Sequence, residues 1–402
     1  MSNPFQLIIP LKQHTPIIHF QHDQAGATLR ATEVKPKLDK YLIEHVFNSD
    51  LSRYARFLVG GKDSKHQALD YKMSIKSTGY KCQIIKKGDR DIPMFFANMG
   101  EDYQDRGLAW NDSTQLIIHS LHLELLDLIK QSLGAFFAIT NFGMRSTKGF
   151  GSFTLLHGAP PPSNAYRFSV NSSDWKVVFR TIDLFYKSIR GGINGAIKPQ
   201  DGRFVKGFYM KPLIFDYAMQ QEIKWEKKVI KERSFINQLG NQQDVHYEDV
   251  SDQKKWPLWV SGKKERIVRD MLGLSSDQTW KGYPGGPNGA LITKEDADQK
   301  IDRFASPIIF KPVKTASGYV VYFMTTPIPD AYLNATFKMA VNRRDIGEVP
   351  MWKEFDLDHF LSHYLTEDKL EKAMQYDQHD NWQSTIADLL LSIYSEIENS
   401  RI

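Results

Sequence analysis

Apolar and polar positions along the chain repeat with two periods, and the switches between them mark out elements. FQLIIPLKQHTPII (5–18) reads as a strand bounded by Pro10 and Pro16, and HFQHDQAGATLRATE (19–33) as a polar loop. Leu38, Tyr41, Leu42, His45 and Val46 recur at i, i+3, i+4, i+7 and i+8, one face of a helix. Pro36 falls near the first turn of that helix, where a missing N–H costs little. DYKMSIKSTGYKCQIIKKG (70–88) alternates on both sides of Ser-Thr-Gly and predicts a hairpin. IPMFFANM (92–99) and TQLIIHSLHL (114–123) predict strands. Leu126, Ile129, Leu133, Phe136 and Phe137 predict a helix over 123–140, and GSFTLL (151–156) a short strand. The order strand, helix, strands, helix, strand is that of an α+β sandwich of the split βαβ, ferredoxin-like kind.

HGAPPPSNA (157–165) is a proline-rich linker. Beyond it, AYRFSV predicts a strand. Trp175, Val178, Phe179, Ile182, Phe185, Tyr186 and Ile189 give a helical stripe ending at Gly191-Gly192. Residues 203–233 hold eight basic and four acidic side chains with aromatics between them. Residues 234–255 read as an irregular insertion, GKKERIVRDMLGL (262–274) as a basic amphipathic helix and WKGYPGGPNGA (280–290) as a loop. SPIIFKPVKTASGYVVYFMTTPI (306–328) is a strong hairpin, and two helices, 356–374 and 382–398, close the chain. The expected organisation is a first domain over 1–156, the linker, a second domain over 166–352 and an acidic helical extension over 353–402.

The chain has 402 residues, 41% of them apolar and 25% charged, enough to bury a core in each of two domains. No apolar run approaches the ~18 residues of a membrane span, and the first residues lack the features of a signal peptide. A cytoplasmic protein with no membrane contact is expected. The single cysteine, Cys82, excludes an intrachain disulfide. Charge is segregated: residues 353–402 hold four basic and eleven acidic side chains, so a net charge of +5 divides into −7 there and +12 before it. A basic body suits a polyanion partner, and an acidic end suits a separate protein contact.

The stretch richest in candidate chemistry is NFGMRSTKGFGSF (141–153). Gly143, Gly149 and Gly151 let the backbone turn and approach a partner. Arg145 and Lys148 add charge, Ser146 and Ser152 add donors, and exposed N–H groups in such a turn form an anion-binding concavity. Phe150 is a candidate for stacking on a base. The order Lys-Gly, rather than Gly-Lys-Ser/Thr, argues against a nucleotide-binding P-loop. No cofactor is expected.

This loop resembles the glycine-rich loop of the RAMP superfamily of CRISPR-associated proteins, roughly Gly-x-Arg/Lys-Ser-x-Arg/Lys-Gly-Phe-Gly-Ser. KQHTPIIHF (12–20) resembles the Thr-Pro end of that superfamily's first strand, and LRATEVKPKLDKYL (29–42) the segment opening its first helix. DRFASPIIFKP (302–312) resembles a strand in the large RAMP subunit of the Cmr-type (type III-B) effector complex, the best match overall. The chain departs from the pattern at His19-Phe20-Gln21, where glycines are usual, and at Lys35-Pro36, where Lys-Gly is usual. The resemblance implies two ferredoxin-like (RRM-like) domains with insertions. It also implies a subunit that binds single-stranded guide or target RNA, touches neighbouring RAMP subunits and does no chemistry. Arg145, Ser146 and Lys148 would hold phosphates, Phe150 would stack, and Arg30, Lys35 and Lys37 would extend the path. Two other readings stand beside this one. A metal-independent endoribonuclease would draw on His14, His19 and His22 as acid or base; these are also a polar loop or a metal cluster. A general RRM-like RNA-binding protein would carry an aromatic strand that KGFGSF only partly supplies. Asp89, Asp91, Glu101 and Asp102 read as solvated loop residues, and Trp256 and Trp259 as core anchors first and an RNA stacking patch second.

Overall fold

The computed structural model describes residues 3–19, 29–61, 68–84, 107–158, 160–239, 264–280 and 290–400. In the first domain these form β1 (Gln6–Gln13), β2 (Ile17–His19), α1 (Ala31–Tyr41), β3 (Lys72–Thr78), β4 (Lys81–Ile84), β5 (Gly107–Trp110), β6 (Ser113–His119), α2 (Leu123–Ile139) and β7 (Phe153–Leu155). The main sheet runs β3-β6-β1-β7 with every neighbour antiparallel, which is the split βαβ order expected. Val34 and Leu38 of α1 meet Ile129 and Leu133 of α2 over Leu116 and Ile118 of β6. That layer is the helical period on one side and the strand period on the other.

One sequence expectation fails here for a local reason. Ser-Thr-Gly at 77–79 is a bend and not a hairpin turn: β3 pairs with β6 and β4 with β5. Gly79 sits at φ +67°, and a Cβ there would lie 2.3 Å from the Asp112 carboxylate in the bend between β5 and β6. The glycine kinks one long strand against another. The strand expected at 92–99 and the carboxylates Asp89, Asp91, Glu101 and Asp102 lie outside the described residues.

The second domain opens with β8 (Tyr166–Val170) and α3 (Trp175–Arg190), followed by β9 (Ile193–Ile197), β10 (Phe204–Met210) and α4 (Glu226–Leu239). Then come β11 (Asp277–Trp280), β12 (Ala290–Asp296), β13 (Ile308–Lys314), β14 (Tyr319–Thr325), β15 (Thr336–Val341) and β16 (Arg344–Pro350). Helices α5 (Leu357–Tyr364), α6 (Glu367–Ala373) and α7 (Asn381–Asn399) end it. The sheet β13-β14-β8 supplies three strands of a ferredoxin-like sheet. Where a fourth would flank β8, α7 caps the edge: Ser169 N–H donates to Glu396 Oε2 (2.8 Å) and Arg167 N–H to Ser400 Oγ (3.3 Å). Ile386, Leu390, Ile393 and Ile397 of α7 share a core with α3. The acidic terminal helices are therefore part of this domain's core, not an appendage. The segment expected as one helix over 356–374 is two, because Thr366 N-caps the second by accepting from Lys369 N–H (3.3 Å).

The helix expected at 262–274 is not formed. Its described part is a two-residue strand, Lys264–Glu265, and a single 3₁₀ turn, Arg269–Leu272. The turn presents Arg269 and Asp270 to a buried ion cluster, which a continuous amphipathic helix would expose. Trp256 and Trp259 lie outside the described residues. Among the described residues no helix is long and apolar enough to cross a membrane.

Candidate nucleic-acid interface

The 141–153 loop leaves α2 and returns as β7, closed at its base by an Asn141–Ser152 bridge. Its inner half is a staple between the domains. Edge strand β13 offers alternate backbone groups, and the first domain satisfies them in turn. Asn141 Nδ2 donates to Phe310 O (2.7 Å), Ser152 Oγ donates to Pro312 O (2.7 Å), and Lys314 N–H donates to His14 Nδ1 (3.0 Å). Proline suits the edge position because it has no N–H to leave unpaired. From the same strand Lys311, fully buried, donates to Thr140 O (2.7 Å) and Phe153 O (2.8 Å). Burial pushes its ammonium well below the usual lysine pKa.

Two glycines permit this closeness. Gly151 has φ +64°, donates its N–H to Pro16 O (2.8 Å) and accepts from Phe142 N–H (3.0 Å). A Cβ there would sit 1.8 Å from Phe142 O. Gly149 lies against Pro312, and its carbonyl accepts from Thr15 Oγ1 (2.7 Å). Thr15 Oγ1 in turn accepts from Ser152 N–H (2.9 Å). The Thr-Pro strand end, the glycine loop and the 302–312 strand, noticed separately in the sequence, thus meet at one point.

This packing corrects two expectations. Phe150 has no face to offer a base: it is fully buried and stacked on Phe179 of α3, ring centroids 3.9 Å apart. Lys148 turns inward, its ammonium 3.2 Å from the centroid of the Tyr186 ring. Burial lowers the pKa of Lys148; burial opposes ionisation of Tyr186 too, yet Lys148 and Arg190 hold that phenol below its usual value. Ser152 is likewise buried, its hydroxyl committed to Pro312. The glycine pattern announces a close approach but not which side is approached.

The outer half of the loop faces outward. Gly143 (φ +78°), Met144, Arg145, Ser146 and Thr147 are half-buried or exposed. Arg145 is left-handed (φ +57°) and starts the short 3₁₀ turn Ser146–Lys148. Glu33 of α1 ties this lip to the helix: its Oε1 accepts from Gly143 N–H (2.8 Å) and from Lys37 Nζ (2.7 Å). Lys37 also donates to Asn141 O (3.0 Å). Lys37 thereby borders the loop, and the half-buried Arg30 sits at the α1 N-cap, three residues before Glu33. Lys35 points elsewhere, donating to Asp39 (2.7 Å) and Leu69 O (2.9 Å) above the Tyr71 ring. The helical spacing of Lys35 and Lys37 already separates them, since residues two apart do not share a face.

His14 is buried. Because its Nδ1 accepts from Lys314 N–H, Nε2 carries the proton and donates to Thr154 Oγ1 (2.8 Å). Burial first, then Lys311, Lys12 and Lys314, lowers its pKa to about 3. The imidazole is a neutral hydrogen-bond bridge at neutral pH. His19 is placed by its backbone alone, in β2 opposite Gly107, and His22 lies outside the described residues. Among the described residues no group of three or more acidic, histidine or cysteine side chains is gathered to hold a metal.

Sequence reasoning missed a buried ion cluster beyond the staple. Lys294 bridges Glu226 Oε1 (2.6 Å) and Asp270 Oδ2; Arg269 reaches Glu226 (3.2 Å) and Arg190 reaches Asp270 (3.1 Å). Tyr186 donates to Leu272 O and lies beneath Lys148, so the cluster continues to the loop. Its members come from 186–294, too far apart in sequence for any local pattern to reveal.

A family model described as the Cmr1 N-terminal domain matches residues 5–193, and one described as the Cmr1 C-terminal domain matches residues 209–391. Among solved structures, the apo crystal structure of Cmr1 from Pyrococcus furiosus is similar, with a TM-score of 0.37 and 10% identity, over 81% of this chain and 90% of that one. No curated protein matches. With both domains matched in order across nearly its whole length, the chain belongs to the Cmr1 family of RAMP-type components of the type III-B (Cmr) CRISPR complex.

Proposed function

We propose that the protein is a non-catalytic RNA-binding subunit of the Cmr complex, contacting single-stranded guide or target RNA and neighbouring RAMP subunits in antiviral defence. The observation that carries the reading is the Glu33 tie, which puts the outer turn of the loop and the start of α1 on one lip. Arg145 and Lys37 supply phosphate contacts there, with Arg30 and Ser146 beside them. Lys148, Phe150 and Ser152 act indirectly, by holding the lip in place, and Lys35, turned to Asp39 and Leu69 O, takes no part. His14, buried and bonded to Lys314 N–H and Thr154 Oγ1, is accounted for by its place in the fold. The net +12 of residues 1–352 favours a polyanion.

The test is fluorescence anisotropy of a labelled single-stranded RNA against the full chain over a salt series. Lys37→Ala with Arg145→Ala weakens binding at least tenfold, since a charge-assisted hydrogen bond contributes roughly 1.5–3 kcal/mol. It also lowers the magnitude of the salt slope by about 1.4, at about 0.7 per phosphate contact. Unchanged affinity and slope would refute the lip. RNA products formed by the pure protein would refute the non-catalytic part.

A further inference from the structure

We propose a second single-strand RNA contact, a base-stacking platform on the outer face of the β9–β10 hairpin, centred on Phe204. It takes its ligand class from the RNA-binding reading and shares no residue with the lip.

The hairpin pairs Phe204 with Ile197, Val205 with Ala196, Tyr209 with Asn194 and Met210 with Ile193, with a bulge between Val205 and Tyr209. One face is core: Ile193, Ala196, Val205, Phe208 and Met210 are all buried. Phe204 projects on the other face and is 58% exposed. The ring lies on Gly195, where a Cβ would come 2.2 Å from Phe204 Cζ. Gly195 has φ +72°, a conformation that itself favours glycine. The far end of the ring thus rests on the Gly195 backbone while more than half of the side chain stays open to solvent, leaving aromatic surface on which a base can stack.

Cations cluster at the hairpin tip beside it. Lys206 is exposed, and the Arg203 side chain is 68% exposed. Lys198 Nζ and the Arg203 guanidinium lie 4.5 Å and 5.5 Å from the ring centroid of Trp382, which is 44% exposed below the hairpin tip. Asp201 approaches both, at 3.9 Å from Lys198 and 3.8 Å from Arg203. Asp380 turns to its helix, accepting from Trp382 and Gln383 N–H. Lys198, Arg203 and Lys206 therefore outnumber Asp201 at the tip. A solvent-exposed aromatic beside a cationic hairpin tip is complementary to a base on a phosphate chain, whereas a protein-docking patch tends to exclude lysine from its core.

Anisotropy with labelled oligouridine and with an abasic strand of equal length separates stacking from charge. Phe204→Ala weakens oligouridine binding about fivefold or more, Phe204→Trp keeps it, and neither alters binding of the abasic strand. Thermal unfolding checks that the variants stay folded. Equal oligouridine affinity for Phe204→Ala and the parent overturns the proposal, as does an equal loss on the abasic strand. So does unchanged RNA affinity with lost co-purification of another Cmr subunit, which would make the patch a protein contact. If Lys37→Ala with Arg145→Ala weakens binding while Phe204→Ala does not, the platform falls and the lip stands. Failure of the parent chain to bind oligouridine removes both.

Discussion

Gly151→Ala tests whether the loop is closed at its base as tightly as the staple between the two domains requires. The new Cβ would stand 1.8 Å from Phe142 O, well inside van der Waals contact, so backbone must move. Movement breaks the hydrogen bonds Gly151 makes with Pro16 and Phe142, each costing about 1–3 kcal/mol where buried groups lose partners. An alanine held at φ +64° adds roughly 1–2 kcal/mol. Since relaxation recovers part of this, the expected loss is about 3–5 kcal/mol, a fall of roughly 6–20 °C in the unfolding midpoint for a domain-sized unit. Gly158→Ala is the control: its φ is +96°, but nothing lies within 4 Å of the added Cβ, so only the strain of about 1–2 kcal/mol remains. Thermal unfolding followed by circular dichroism reads the difference, and limited proteolysis across 157–165 reads loosening of the domains. Equal midpoints for the two variants would refute the tight closure on which the staple rests.

Two further outcomes follow from buried charge. The folded His14 binds fewer protons than the unfolded residue between its folded pKa of about 3 and its ordinary 6.5. Its contribution is therefore whole above that window and drains as pH falls through it, at up to roughly 1.4 kcal/mol per unit. Urea midpoints measured from pH 7 to pH 4 should fall less steeply for His14→Gln, and parallel curves would contradict the buried neutral imidazole. Lys294→Ala leaves two buried carboxylates, Glu226 and Asp270, with one arginine partner each and without their shared ammonium, and should cost about 3 kcal/mol, read as a lowered urea midpoint; a midpoint like the parent's would contradict the cluster.

The split order of the first domain was legible because β1, β6 and both helices there announce their own periods. So were α3 and the β13–β14 hairpin, whose turn closes with Thr315 N–H donating to Gly318 O (2.8 Å). What stayed hidden was direction. The three glycines announced a loop pressed against something, but Phe150 and Lys148 turn into the second domain, and only β13 and α3, 30 to 170 residues away, decide that. Ser-Thr-Gly has the composition of a turn, yet Asp112 in the bend between β5 and β6 makes Gly79 a kink. The 262–274 segment has helical periodicity, but the pull of Glu226 and Lys294 on its charges outweighs that preference. Of the expected RNA-contacting cations, spacing alone could have set Lys37 apart from Lys35.

The most direct measurement maps where RNA touches this subunit in the assembled Cmr complex, by photo-cross-linking 4-thiouridine-substituted RNA and sequencing the modified peptides. The account predicts cross-links on peptides spanning 29–37 and 141–147. Cross-links confined to other surfaces, with those two peptides unmodified, would contradict it.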